Sequence, residues 1–231
     1  MRLAAHQPQY LPWLGYFDKM ARVDMFVLLD TVQFKKNEWQ NRNRIRTAAG
    51  WQWLTIPVHH RFPMCIADVR IDDTAGWRRK HKEALRQAYT RAPHRDEVLP
   101  VVCDLIDRPV GDLATLNTLC VTALAGLLGV ATRVAPASSL ADLPDGPDAR
   151  LIALCRRFGA GTYLAGRGGH DYMDLDAWRR AGIAVEFQEF RHPVYPQGHP
   201  GFEPNLSAVD ALMHLGPGCL KPGARPLEDA A

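Results

Sequence analysis

Long apolar runs are missing from this sequence. No stretch offers the roughly 18 uncharged apolar residues that a spanning helix needs, and the longest run, residues 119–130, ends in glycine and reads as a buried helix. Membrane insertion is therefore not expected. The N-terminus reaches His6 and Gln7 before any hydrophobic run has formed, so a secretory leader is not expected either. Cysteine is sparse: Cys65, Cys103, Cys120, Cys155 and Cys219 form no C-x-x-C pair, and an odd count suits reduced thiols in the cytoplasm better than a disulfide framework. The nine histidines contain no H-E-x-x-H, and the adjacent His59 and His60 point to opposite faces of a strand, so no metal centre is expected. A G-x-S-x-G elbow, a Walker lysine and the Rossmann glycine spacing are all absent, which disfavours a serine hydrolase and a motif-defined nucleotide site. No cofactor is implied, and there is no internal repeat.

What is present is ordinary for a globular chain: 231 residues, 47% hydrophobic and 23% charged, enough to bury a substantial core. The net charge of +3 hides an asymmetry. Residues 1–100 carry 17 basic and 10 acidic side chains, the remainder 11 and 15. One α/β domain over residues 1–215 is expected, with a basic half (1–100), a helical and α/β remainder (101–215), and a loosely ordered tail over 216–231.

Apolar runs at 2–6 and 25–29 read as buried strands flanking a helix over 11–21, the signature of a parallel α/β unit. Residues 31–50 are polar, basic and without apolar periodicity, which predicts a long surface loop. Strands are expected at 51–58 and 66–71, then a basic helix over 76–89 with Asp72, Asp73 and Thr74 as candidate caps. A helical stretch from Val98 follows, then a long helix capped by Asp112 and closed by Gly129. Strands at 130–134, 162–165 and 183–187 alternate with helices after Asp148 and over 175–181, and a last short helix spans 207–215. The fold class is α/β, a mainly parallel Rossmann-like sheet with helical additions in the C-terminal half.

Four clusters carry candidate chemistry. His6, Gln7 and Tyr10 sit at the C-terminal end of the first strand, where open α/β sheets collect ligands; His6 reads as a general base or phosphate contact, or simply as a loop hydrogen bond. Asp30 opens, and Gln33, Lys36, Asn41, Arg42, Asn43 and Arg46 lie in, a segment that after Asp30 has five cations and one anion, suited to phosphates or a nucleic-acid backbone, with Trp39 for stacking. Trp77, Lys80 and His81 share a helix, Trp77 and His81 on one face. Gly166, Asp171 and Tyr172 belong to a glycine-rich turn, and Tyr195 and Gln197 to a polar and aromatic group that matters only if it folds back toward the first strand.

The run His6-Gln7-Pro8-Gln9-Tyr10-Leu11-Pro12-Trp13-Leu14-Gly15-Tyr16-Phe17-Asp18-Lys19 closely resembles the opening of the WbqC-like protein family. So do Asp30, Gln33-Phe34, Asn41-Arg42-Asn43, Trp53-Leu54-Thr55, Lys80-His81, Tyr163-Leu164-Ala165-Gly166, Asp171-Tyr172, and Tyr195 with Gln197. Arg167 departs from the small residue expected after the glycine. The resemblance implies a role beside surface-polysaccharide (O-antigen) synthesis: transfer of an amino acid, glycine in particular, to an amino sugar. The strand-loop-helix-strand layout is also similar to that of nucleotidylyltransferases, but Trp13 and Tyr16 stand where those enzymes carry the histidines of H-x-G-H.

The leading expectation is an aminoacyl- or acyltransferase acting on a small amine or amino sugar, with glycyl-tRNA or a similar activated donor as partner. His6 or His81 would be the base, Asp30 a further catalytic candidate, Asn41 and Gln33 the oxyanion donors, and Arg42, Arg44 and Arg46 the holders of donor phosphates. The alternatives are a nucleotide-dependent ligase or nucleotidyltransferase, and a non-catalytic RNA-binding module.

Overall fold

A computed structural model of the protein describes residues 1–220 and 228–229. The first strand, β1 (Arg2–His6), leads through a proline-flanked loop into α1 (Leu14–Ala21) and back into β2 (Met25–Leu28), which is buried along its whole length. A hairpin follows, β3 (Arg42–Thr47) and β4 (Gly50–Thr55), then a short pair, β5 (Val58–His59) and β6 (Arg70–Ile71). Three helices come next, α2 (Trp77–Ala88), α3 (Arg95–Ile106) and α4 (Leu113–Leu128). The second half alternates β7 (Arg133–Pro136), α5 (Pro147–Phe158), β8 (Thr162–Ala165), α6 (Leu175–Arg180) and β9 (Ala184–Phe187), and adds β10 (Pro193–Val194), α7 (Ala208–Leu215) and β11 (Glu228–Asp229).

Five strands form one parallel sheet in the order β7-β2-β1-β8-β9, which is a Rossmann-like arrangement. Side chains alternate across it. Ala4, Phe26, Leu28 and Leu164 face a layer made by α1 to α4 and α7, while Leu3, Met25, Val27, Tyr163 and Ala165 face α5 and α6. Strands from both halves of the chain thus share one sheet. The register places His6, Leu28 and Pro136 side by side at its carboxyl edge.

The largest departure from expectation is in residues 31–50, whose last third forms a strand and the start of its partner. Along β3 the cations Arg42 and Arg44 point outward while Asn43 and Ile45 are buried, so the two-residue period is present but only one inward position is apolar. Arg46 is buried too, held by the carbonyls of Gly50 and Pro200 at 2.6 Å each. The expected strand at 66–71 is a 3₁₀ turn, Ile66–Asp68, followed by two strand residues. The strand expected at 130–134 begins three residues later. Asp112 does cap α4, accepting from the Thr115 amide at 2.8 Å. Asp148 caps nothing: α5 starts on Gly146 and Pro147, and the Asp148 carboxylate instead receives the Trp178 indole N–H at 2.7 Å. Asp72 caps the turn Asp73–Ala75, not α2. The tail expected over 216–231 lies outside the described residues from 221 to 227 and at 230–231.

Trp13 folds over the first turn of α1. A Cβ on Gly15 would lie 2.3 to 2.7 Å from its indole ring carbons, so only glycine fits beneath it. Gly15→Ala is therefore expected to cost about 1–3 kcal/mol and to displace the indole, read as a lowered melting temperature and an altered near-UV dichroism signal. The double variant Gly15→Ala/Trp13→Leu should recover most of the loss.

Candidate functional site

The direction of winding of the sheet reverses between β1 and β8, and at such a switch point folds of this class form their ligand crevice at the carboxyl edge. The loop after β1 runs along that crevice. Pro8 and Pro12 have no N–H of their own, and the loop's carbonyls are held from elsewhere: Asn117 Nδ2 of α4 donates to Pro8 O, Asn43 Nδ2 of β3 to Tyr10 O and Leu11 O, and the Ala208 amide of α7 to Pro12 O. Leu11 sits at φ 44°, a left-handed conformation unfavourable to a branched side chain, fixed by the 2.8 Å bond from Asn43.

The reactive groups converge on this loop. The His6 ring lies 4.8 Å from that of Tyr16, whose hydroxyl donates to Gln7 O. The Gln9 amide meets His6 Nε2 at 3.4 Å, and Gln40 Nε2 donates to Gln7 Oε1 at 2.7 Å. Buried atoms around this loop, His6 Nδ1, Gln9 Oε1 and Asn117 Oδ1, have no hydrogen-bond partner among the described residues. Below them Lys19 is 3% exposed and donates to Ala5 O at 3.1 Å. Burial lowers its pKa to about 8. Burial, and after it the Lys19 charge, lowers that of His6 to about 3, so the imidazole is neutral throughout the physiological range.

The other predicted residues are distributed differently. Asp30 is buried and accepts from both the amide and the hydroxyl of Ser138, which ties the end of β2 to the turn after β7. It borders a cavity of about 310 Å³ that also touches Asp112, Thr115 and Thr118. A larger hollow of about 440 Å³ lies at the opposite edge of the sheet, among Val23, Asp24, Gly129 and Arg133, away from this cluster. Gln33 spends both amide hydrogens, on Phe34 O and Met64 O, and Asn41 gives one to Ile56 O and is buried, so neither is presented to an oxyanion. Arg46 is occupied by backbone carbonyls and is not available to a phosphate. Lys36 and Lys80 are exposed.

His81 is sealed between Tyr10 Oη at 3.0 Å and Thr55 O at 3.1 Å. A carbonyl on Nε2 fixes the proton there, so Nδ1 accepts from Tyr10, and both nitrogens are used structurally. Burial lowers its pKa to about 4. Tyr195 and Gln197 do not join the crevice. Tyr195 and Tyr89 donate to the buried Asp210, and Gln197 pairs twice with the backbone of Glu203. Gly166 follows β8 at the other lip of the crevice, where a 3₁₀ turn, Arg167–Asp171, exposes Asp171 and Tyr172.

The structure therefore brings His6 and Gln7 together with residues that sequence reasoning missed, Gln9, Lys19, Gln40 and Asn117, while the Tyr10 side chain turns away to Trp77 and His81. Lys19 had a signal, a cation on the same buried face of α1 as Tyr16, and so did Asn117, a lone amide within an apolar helix. Ser138 had none. Among the described residues no three His, Cys, Asp or Glu side chains gather to hold a metal, the five cysteines are unpaired, and no helix is long and apolar enough to cross a membrane.

The family model described as the WbqC-like protein family matches residues 7–221. An uncharacterized protein of Mycobacterium tuberculosis, Rv1507c, is 35% identical over 219 residues, covering 93% of this chain and 94% of that protein. No solved structure matches the chain.

The buried histidines set a pH dependence of stability. The folded pKa values of His6 and His81, and in direction that of His192, lie below the ordinary 6.5. The unfolded chain therefore takes up protons that the folded chain refuses, and stability present above about pH 6.5 is lost as the pH falls toward 4. Each ring is expected to contribute a slope of up to about 1.4 kcal/mol per pH unit. Urea unfolding at pH 7.5, 6.0 and 5.0 measures it, and a flat profile would contradict the assignment.

Proposed function

Because the chain belongs to the WbqC-like protein family, we propose that it is a transferase moving an aminoacyl or acyl group, glycyl in particular, from an activated donor such as glycyl-tRNA to a small amine or amino sugar. On this reading it works in the cytoplasm, in polysaccharide or specialised-metabolite synthesis. The observation that carries it is the pair of buried, unpartnered polar atoms, His6 Nδ1 and Gln9 Oε1, at the switch point of the sheet. Buried polar groups find partners, and a ligand in the crevice supplies them.

Acyl transfer to an amine needs a group to receive the amine's proton and charge to steady the oxyanion. In the proposed step the amine nitrogen attacks the ester carbonyl, His6 takes the proton released, and the tRNA hydroxyl leaves with a proton returned from the ring. A neutral imidazole is ready for this at any physiological pH. An anionic donor beside it would offset the Lys19 charge and raise its basicity. Lys19 uses one donor on Ala5 O and has others for developing negative charge.

The strand order itself favours a second reading, a nucleotide-dependent ligase or nucleotidyltransferase. Trp13 argues against it at the usual place, since its indole covers the first turn of α1, where a phosphate would meet the helix.

The test is incubation of purified protein with tRNA carrying labelled glycine and a panel of amines and amino sugars, with product read by mass spectrometry. Transfer is expected. His6→Ala should lower the rate about 10²- to 10⁴-fold. Lys19→Met should lower it while leaving the melting temperature unchanged or higher, because a buried cation with one hydrogen bond costs stability. Pyrophosphate release from ATP or CTP, without transfer from any activated donor, would favour the second reading instead.

A further inference from the structure

On the outer face of the β3–β4 hairpin Trp51 and Trp53 are interleaved with arginines, and Trp39 from the segment before β3 packs against them, so three of the chain's six tryptophans gather here. The Arg42 guanidinium lies 4.0 Å above the Trp53 ring; that of Arg44 lies 5.0 Å from Trp51, 5.6 Å from Trp39 and 5.8 Å from Trp53. The rings of Trp39 and Trp51 each stand 5.5 Å from that of Trp53. Trp51, at 41% exposure, is one of few large apolar side chains left in solvent. Among the described residues neither Arg42 nor Arg44 has a carboxylate partner, although Glu38 is in the same segment, and the Nε atom of each is buried without a hydrogen bond. Arg78, by contrast, pairs with Asp73 and with three backbone carbonyls.

We infer that this face is a stacking platform for an unpaired RNA strand. The ligand must offer negative charge for Arg42, Arg44 and the exposed Lys35 and Lys36, and flat π surfaces for the indoles. An uncharged oligosaccharide would satisfy only the tryptophans, and an acidic peptide only the cations. Single-stranded RNA satisfies both, because its phosphates alternate with bases. The platform is also continuous with the crevice: Trp39 O accepts from the Tyr10 amide at 3.1 Å, and the next residue, Gln40, donates to Gln7. A strand lying across the indoles delivers its end to His6. The identity of that strand as the 3′ end of a tRNA rests on the transfer reading, whereas the stacking does not.

Titrating the protein with an unstructured eight-nucleotide RNA ending in CCA, and following tryptophan fluorescence at two salt concentrations, tests this without any chemistry. The expected result is quenching with affinity that falls as salt rises. Trp51→Ala should weaken binding at least about fivefold, and Arg44→Gln should reduce the slope of log affinity against log salt by about 0.7. Both side chains point out from the sheet, so the melting temperature should stay near that of the unaltered protein. Equal affinity for Trp51→Ala, no quenching at low salt, or quenching by a neutral oligosaccharide in place of RNA overturns the inference. RNA binding without transfer from any charged tRNA upholds the platform and sinks the transfer reading. Transfer from a small activated donor without RNA binding does the reverse.

Discussion

The path of the chain from Pro8 to Pro12 is fixed by amides from three distant elements. A loop bracketed by two prolines has few donors, and its inward carbonyls would be stranded in an apolar layer without outside partners. Asn117, Asn43 and the first amide of α7 reach Pro8, Tyr10, Leu11 and Pro12. Leaving one such group unpaired costs about 1–3 kcal/mol, similar to the strain of about 1–3 kcal/mol for a residue in the conformation of Leu11. His6, Gln7 and Gln9 keep their positions because this loop has no slack.

Beneath the loop, electrostatics and stability pull in opposite directions. Lys19 sits where a methionine would serve the core better, and its charge is felt at the ring of His6. Neither residue is well satisfied: the lysine has one acceptor, and one imidazole nitrogen has none. A cation beneath a neutral histidine is an arrangement that packing alone does not favour.

Elements whose residues agree with their environment were legible in the sequence. The first strand-helix-strand unit announced itself through periodicity, and α4 through Asp112 and Gly129 at its ends. The hairpin was hidden because its inward positions are Asn43 and Ile45 and its outward ones are arginines, a pattern that reads as polar loop until the tryptophans of the neighbouring strand are seen opposite. The candidate site was half legible. His6 and Gln7 follow from their place after β1, but Asp30, Gln33, Asn41 and His81 looked equally reactive on paper, and their side chains are committed to Ser138, to backbone carbonyls and to Tyr10. Which polar group is already partnered is a property of long-range contacts, and spacing along the chain does not encode it.

The bond from Ala208 to Pro12, and the bridge between Ser207 and Trp13 beside it, span almost the whole sequence. The loop after β1 and its anchor on α7 are nearly two hundred residues apart along the chain. Pairing of β1 with β2 is local, whereas fixing this loop needs a contact of very long range, the kind that loop-closure entropy makes slow to form. A chain cut before α7 would lose the anchor on Pro12, one of the three outside restraints on the loop that positions His6.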